Sequence, residues 1–350
     1  MTNHSDIAVS IILPVYNSDK WLDECLRSVL EQTFTDAIQL SVYNDGSQDA
    51  SMMILDKWRP EFRKKNIEIV LSGHSDDRPR GVGYAKNKAI AQSRGNFLCF
   101  LDADDKMYKD RILKQLDASK KNPKAIVGCR FVREPPDSTL RFTAWANEMS
   151  HEQLYTQIYT SHGPTVIMPS WFMSRSVFNT VGAFDEAGKG VPEDLIFFYK
   201  HLELGGEIIR VDDCLLVYRY HAEAATFSVS EETIWQLRVQ FIQQQLLHKW
   251  NTFSIWNAGK QGRKFFRSLD EKSQKKVVAF CDVDSKKISK GFYIYEESKE
   301  KLKPKIPIIY YTNVKPPIVV CVKMGLTGGG FETNLASLNL VEGKDYHHFN

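Results

Sequence analysis

Three carboxylates crowd one short stretch of the chain: Asp102, Asp104 and Asp105 follow directly on Phe97-Leu98-Cys99-Phe100-Leu101. Five consecutive apolar residues spell a buried strand, and the acids then surface at its carboxyl end, where open α/β sheets bind ligands. Alternation along a strand sends Asp102 and Asp104 to one side, and like charges held that close repel unless a cation or hydrogen-bond donors compensate them. The chemistry this spacing suits is coordination of a hard divalent ion, Mg or Mn, by oxygen ligands. The ordinary alternative is a solvated acidic turn or, for Asp105, a helix N-cap. A second acidic pair, Glu193-Asp194, stands just after Pro192. Proline followed by acids is also ordinary helix-start chemistry, so read alone this pair divides evenly between capping and catalysis.

The acids need a scaffold. Residues 8–15 (Ala-Val-Ser-Ile-Ile-Leu-Pro-Val) are short and β-branched, a buried strand that ends in Pro14-Val15-Tyr16-Asn17. Trp21, Leu22, Cys25, Leu26, Val29 and Leu30 recur at helical spacing, so Ser18 opens a helix packed on the sheet. A second strand over 38–43 breaks at Asn44-Asp45-Gly46-Ser47-Gln48-Asp49 and leads to a helix containing Met53, Ile54 and Trp58. A third strand over 67–71 precedes Arg80-Gly81-Val82-Gly83-Tyr84-Ala85-Lys86-Asn87, which opens a helix running through Ala91 into the acidic strand. This β-α rhythm specifies an α/β fold with a parallel, doubly wound sheet whose polar loops gather on its carboxyl edge.

Four segments in this order and spacing, 14–17, 44–49, 80–87 and 102–105, resemble the nucleotide-binding half of a family 2, GT-A fold glycosyltransferase. The resemblance implies a GT-A type doubly wound mixed sheet. It places Pro14, Tyr16 and Asn17 on the donor, with Pro14 and Tyr16 flanking a uracil whose imide hydrogen Asp45 accepts. Asp102 would hold the ribose and Asp104 the metal on the diphosphate. Lys86 stands where the family usually has arginine; it neutralises a phosphate as a point charge but cannot form the planar fork, and a solvated helix face is its ordinary reading. Glu193-Asp194 looks like the family's acidic dyad, with Asp194 as base and Glu193 orienting the acceptor. His221, in Tyr218-Arg219-Tyr220-His221, resembles the late metal or diphosphate ligand. Trp171 is a candidate stacking floor for a sugar or base, although a lone aromatic is more often core.

The implied reaction is inverting sugar transfer: the departing diphosphate needs its charge stabilised and the attacking hydroxyl needs a proton acceptor. An aspartate with an ordinary pKa near ~3.9 is already ionised at neutral pH, so no upward shift is required of the base. Through 163–171, 191–198, 255–267, 278–284 and 326–329 the resemblance extends to tRNA-modifying members of the family. There it implies UDP-galactose as donor and, as acceptor, a queuosine hydroxyl in the anticodon of tyrosine tRNA. The alternatives are an N-acetylglucosaminyltransferase acting on a glycan, which would normally need lumenal targeting, and a non-catalytic sugar-nucleotide sensor, against which Asp102, Asp104 and Asp194 argue.

With 350 residues the chain exceeds the size at which one core stops growing. The expected division is a GT-A domain over 1–230, a linker helix over 231–250 and a small Rossmann-like basic domain over 251–350. Residues 251–350 carry 17 Lys+Arg against 10 Asp+Glu, whereas the first 250 carry 29 against 33, so the C-terminal part is the basic end. Such asymmetry suits a polyanionic partner, though scattered surface lysines explain it nearly as well. In that part, Phe253-Ser254-Ile255-Trp256 leads into Asn257-Ala258-Gly259-Lys260-Gln261-Gly262-Arg263, and Asp282 ends the next strand. That is the outline of a dinucleotide fingerprint with Asn257 in place of its first glycine, so no obligatory NAD is expected. Lys260, Arg263 and Lys264 are candidate tRNA-phosphate contacts at a helix start, and Gly328-Gly329-Gly330 is a turn or hinge without an assigned role. The six cysteines are widely spaced and mostly within apolar runs, as reduced core residues are, and the apolar stretch 7–16 is too short for a signal or spanning helix. A cytoplasmic or nuclear setting is the expectation.

Overall fold

The computed structural model describes residues 7–350. The chain forms two compact units, one made of the residues up to Leu154 together with Pro164–Ser230, the other of Tyr155–Gly163 together with Glu231–Asn350. The helix Glu231–Gln245, expected as a linker, thus belongs to the second unit, as does the short segment Tyr155–Gly163. Buried Arg238 on that helix ties both to the C-terminus: its Nη1 donates to the carbonyls of Tyr159 (3.1 Å) and Asn350 (2.5 Å). Among the described residues no helix is long and apolar enough to cross a membrane.

The first unit is built on β1 (Val9–Val15), β2 (Ile38–Asp45), β3 (Glu68–His74), β4 (Phe97–Phe100), β5 (Lys106–Met107), β6 (Ala125–Glu134), β7 (Phe172–Ser174) and β8 (Glu207–Arg219). Their order is β3-β2-β1-β4-β7-β6-β8-β5. The run β3-β2-β1-β4 is parallel, as the β-α rhythm requires, while β7 pairs antiparallel with both β4 and β6, which makes the sheet mixed. Strands β1 and β2 are buried along almost their whole length because helices cover both faces, which is why their sequences read as continuous apolar runs. The two strands expected over 207–220 are one bulged strand, β8, that delivers His221 to the sheet edge.

Trp171 belongs to the core, not to a binding floor. It is fully buried, and its Nε1 donates to the Val166 carbonyl at 2.8 Å. Its indole packs among Phe100, Phe184, Phe197 and Phe198, at centroid distances of 5.8 to 6.5 Å. This aromatic layer backs both the acidic strand β4 and the helix Glu193–Glu203, so it holds the two acidic segments in one frame. Replacing Trp171 by Ala is expected to lower unfolding stability by about 3–5 kcal/mol, read as a shifted urea midpoint; an unchanged midpoint would refute the assignment.

The second unit carries β9 (Phe253–Trp256), β10 (Val277–Asp282), β11 (Phe292–Ile294), β12 (Lys305–Tyr310), β13 (Ile318–Val320) and β14 (Tyr346–His348), in the order β11-β12-β10-β9-β13-β14. All pairings are parallel except β11 with β12, a Rossmann-like arrangement with one reversed edge strand. The two edge strands β11 and β14 were not legible in the sequence. Each is three residues long, too short for a periodic signal.

Candidate active site

The acids after β4 form a tight turn in which the Asp105 N–H donates to the Asp102 carbonyl at 3.1 Å. Asp102, Asp104 and Asp105 each bring a carboxylate oxygen within 4.8 Å of the others. Asp105 caps no helix, since the short strand β5 follows it; its Oδ1 instead accepts the backbone N–H of Arg219 at 2.9 Å. Its other oxygen is buried and, among the described residues, has no partner. Asp104 Oδ2 lies 2.8 Å from His221 Nε2, while His221 Nδ1 is buried and, among the described residues, unpartnered. Burial, and then the neighbouring Asp104 against the relief given by Lys86, pushes the Asp102 carboxyl up to about 6. Burial and the same two acids push Asp105 well above the usual carboxylate range. The hydrogen bond to Asp104 raises His221.

Repelling carboxylates, an orphaned buried oxygen and an adjacent imidazole are a donor set that fits a divalent cation. Asp104 and His221 would hold it, with Asp102 and Asp105 beside them. Such an ion would relieve the charge crowding and stabilise a leaving diphosphate.

Arg219 organises this corner and was not singled out by spacing. Almost wholly buried, it donates Nη1 to the Asp104 carbonyl (3.0 Å) and Nε to Glu134 (3.0 Å), pairs through Nη2 with Glu24, and lies 4.8 Å from the Trp21 ring centroid. One side chain therefore fastens the acidic turn to the end of β8, two positions before His221. The signal available was an arginine closing the run Leu215-Leu216-Val217-Tyr218, which must find acceptors if it points inward.

The second acidic pair faces the same region. The helix Val82–Ala91 can approach it because Gly83 lacks a side chain: a Cβ there would sit 2.1 Å from the Asp185 carbonyl and 3.3 Å from Glu193 Cγ. One turn on, Lys86 is 3% exposed and its Nζ pairs with Glu193 Oε1 at 2.9 Å. The solvated-face reading of Lys86 is thereby excluded. Burial alone would lower its pKa, but the charges of Glu193 and Asp102 hold it above the usual lysine value. Asp194, half-buried at the start of the helix Glu193–Glu203, is pushed up to about 6 by burial and by Glu193, with a further contribution from Asp102. The upward shift that the sequence did not call for comes from this enclosure. Lys86 is the cation common to both acidic groups.

Beside the acidic turn, past the end of the neighbouring strand β1, Asn17 takes φ 46° and locks two loops together: its N–H donates to Ser47 Oγ (3.0 Å) and its Oδ1 accepts the Gln48 N–H (2.8 Å). Tyr16 is 43% exposed beside it and Pro14 is half-buried. Asp45 is also engaged within the chain. Only 3% exposed, its carboxylate meets His74 Nε2 at 2.9 Å and accepts the N–H groups of Arg80 (3.1 Å) and Gly81 (2.8 Å), bracing three loop ends.

The basic trio of the second unit is partly engaged within that unit. Lys264 is engaged by Glu232 at 2.9 Å and by the Trp235 ring, with its Nζ 4.1 Å from the centroid. The Arg263 guanidinium lies 5.0 Å from the Tyr293 centroid with its Nε buried. Lys260 alone is exposed. Aromatic neighbours and one acid hold the other two against their own fold.

The sequence of residues 10–182 matches the family model described as glycosyl transferase family 2. These residues form a family 2 glycosyltransferase domain. Among curated relatives, the uncharacterized glycosyltransferase EpsJ of Bacillus subtilis is 25% identical over 223 residues, 62% of this chain and 62% of its own length. The poly(ribitol-phosphate) beta-glucosyltransferase of Bacillus spizizenii is 32% identical over 115 residues, 33% of this chain and 17% of its own length. The match thus spans less than two thirds of these relatives. Among solved structures, S. aureus TarS superposes with a TM-score of 0.54 at 18% identity, covering 78% of this chain and 51% of that one. TarS 1-349 in complex with UDP-GlcNAc gives 0.52 at 20%, covering 76% and 71%. At this identity the likeness speaks to the fold: a GT-A-like mixed sheet carries the family 2 domain.

Proposed function

We propose that this chain is a metal-dependent, inverting sugar transferase that moves galactose from UDP-galactose to a queuosine hydroxyl in tyrosine tRNA. The observation that carries the transferase reading is the convergence on one sheet edge of the Asp102–Asp104–His221 group and Asp194, with Lys86 buried between Glu193 and Asp102. In this reading Asp104 and His221 hold the metal, Asp102 the ribose, and Pro14, Tyr16 and Asn17 the uracil end of the donor. Lys86 supplies positive charge between the two acidic groups. Asp194 accepts the proton of the attacking hydroxyl, and Glu193, held by Lys86, orients it. UDP-GlcNAc in TarS supports a uridine diphosphate sugar as donor class, and Mn2+ beside GDP-Man in a Pyrobaculum calidifontis mannosyltransferase supports metal dependence.

Galactose and queuosine rest on the whole-chain sequence resemblance to queuosine-tRNA galactosyltransferases. A cytoplasmic site of action belongs to the same reading. The second reading, transfer to a glycan or polyol-phosphate acceptor, draws on the poly(ribitol-phosphate) glucosyltransferase relative.

One assay separates the readings. The protein is incubated with Mn2+, radiolabelled UDP-galactose or UDP-GlcNAc, and tRNA with or without queuosine. Label entering only queuosine-containing tRNA, and only from UDP-galactose, is the expected result. Label entering a glycan or poly(ribitol phosphate) but no tRNA would replace it with the second reading, and UDP-sugar binding without transfer to any acceptor would leave a sensor.

A further inference from the structure

The dinucleotide fingerprint of the second unit has been turned inward. Asn257 takes φ 114°, the left-handed region usually left to glycine, so it makes the tight turn of the missing first glycine. Gly262 preserves the close helix–strand approach, since a Cβ there would sit 1.9 Å from the Asn257 carbonyl. The groups that would hold phosphate and ribose are engaged within the chain. The Gly259 N–H donates to Asn257 Oδ1 (2.7 Å) and the Ala258 N–H to Asp282 Oδ2 (2.9 Å). Asp282, at the ribose position of the fingerprint, also takes Lys287 Nζ (2.9 Å) on Oδ2 and the N–H groups of Val283 (2.9 Å) and Asp284 (3.0 Å) on Oδ1. Four donors saturate that carboxylate, and Lys287 is neutralised by it.

A cavity of about 350 Å³ nevertheless opens at this point, inside the range of roughly 300–1,000 Å³ usual for small-ligand sites. It lies past the carboxyl ends of β9, β10 and β13, where the chain order reverses across β9, the switch point at which such sheets bind ligands. Its walls include Trp256, Phe331, Val283 and Val322, with Thr327 and Gly330 of the glycine-rich turn at its lip. Asn334 also lines it, half-buried, and among the described residues its side-chain amide makes no hydrogen bond. Aromatic and aliphatic walls, one free amide offering both a donor and an acceptor, and no unpaired cation describe a pocket for an uncharged planar heterocycle.

We propose that this cavity is a nucleobase site that accepts the base of a nucleoside, free or unpaired in an RNA strand, and excludes the phosphates that the parent fingerprint holds. The proposal does not rest on the transferase reading.

The full-length protein is titrated calorimetrically with adenosine, guanosine, NADH and a short single-stranded RNA, alongside Asn334→Ala and Val283→Trp. The first variant removes the free amide and the second fills the mouth from a half-exposed position; thermal melting checks that both fold. Saturable nucleoside binding weakened roughly tenfold or more in both variants is expected. Binding of the RNA but not of free nucleosides, lost in both variants, also supports the proposal and identifies an unpaired base as the source. Binding insensitive to both variants, no binding of any probe, or NADH bound tenfold tighter than adenosine would overturn it.

Discussion

Asp194→Asn is expected to reduce turnover by ~10²–10⁴-fold, the range a positioned general base contributes, while UDP-sugar affinity changes little. Asparagine keeps the shape of the side chain and the Leu195 N–H contact, made at 2.7 Å in the wild type, but cannot take a proton at neutral pH. The wild-type pH profile should carry the same signature. Burial and Glu193 raise Asp194 to about 6, and a base works when ionised, so kcat falls by about tenfold per pH unit below that value and levels off above it. Because Asp102 is raised to a similar value nearby, the apparent pKa belongs to the coupled acids. An acid limb near 4 would mean that the base is not enclosed as described. A variant that keeps most of its turnover would remove Asp194 from the role.

Asp104→Asn is expected to act on the other half of the site. It removes one charge from the carboxylate group and the anionic partner of His221, 2.8 Å away. Metal-dependent UDP binding, followed by calorimetry across a Mn2+ titration, should weaken by at least the roughly 10–100-fold that loss of even an outer-shell partner costs. Binding measured without metal should be unchanged or slightly stronger, since less negative charge then faces the diphosphate. An unaltered Mn2+ titration would refute the ligand assignment. Together the two variants divide donor capture from proton transfer: one moves affinity, the other turnover.

Much of this was legible before any coordinates. The alternation β1 to β4, the loops that end the strands and the acids after Phe100 all followed from local pattern, because a strand buried on both faces must be apolar and must end where polar residues begin. The setting of single side chains was harder to read. Trp171 and Lys86 have types that occur equally in cores, sites and surfaces; burial decided both, sending the indole into an aromatic layer and the lysine to Glu193. Lys260, Arg263 and Lys264 formed a basic cluster on paper, yet Glu232, Trp235 and Tyr293 claim two of the three.

By itself the sequence determined the α/β class, the parallel core of the first sheet, the acidic turn and the outline of the second unit, because each depends on periodicity and turn chemistry over a dozen residues or fewer. Only the tertiary structure decided which of the distant polar groups meet. Arg219 is 115 positions from Asp104 and Lys86 is 107 from Glu193, separations over which no local rule operates. Burial then set what those groups are, raising Asp102 and Asp194 to about 6, because an acid's proton affinity depends on the solvent and charges the fold leaves around it and not on its neighbours in the chain.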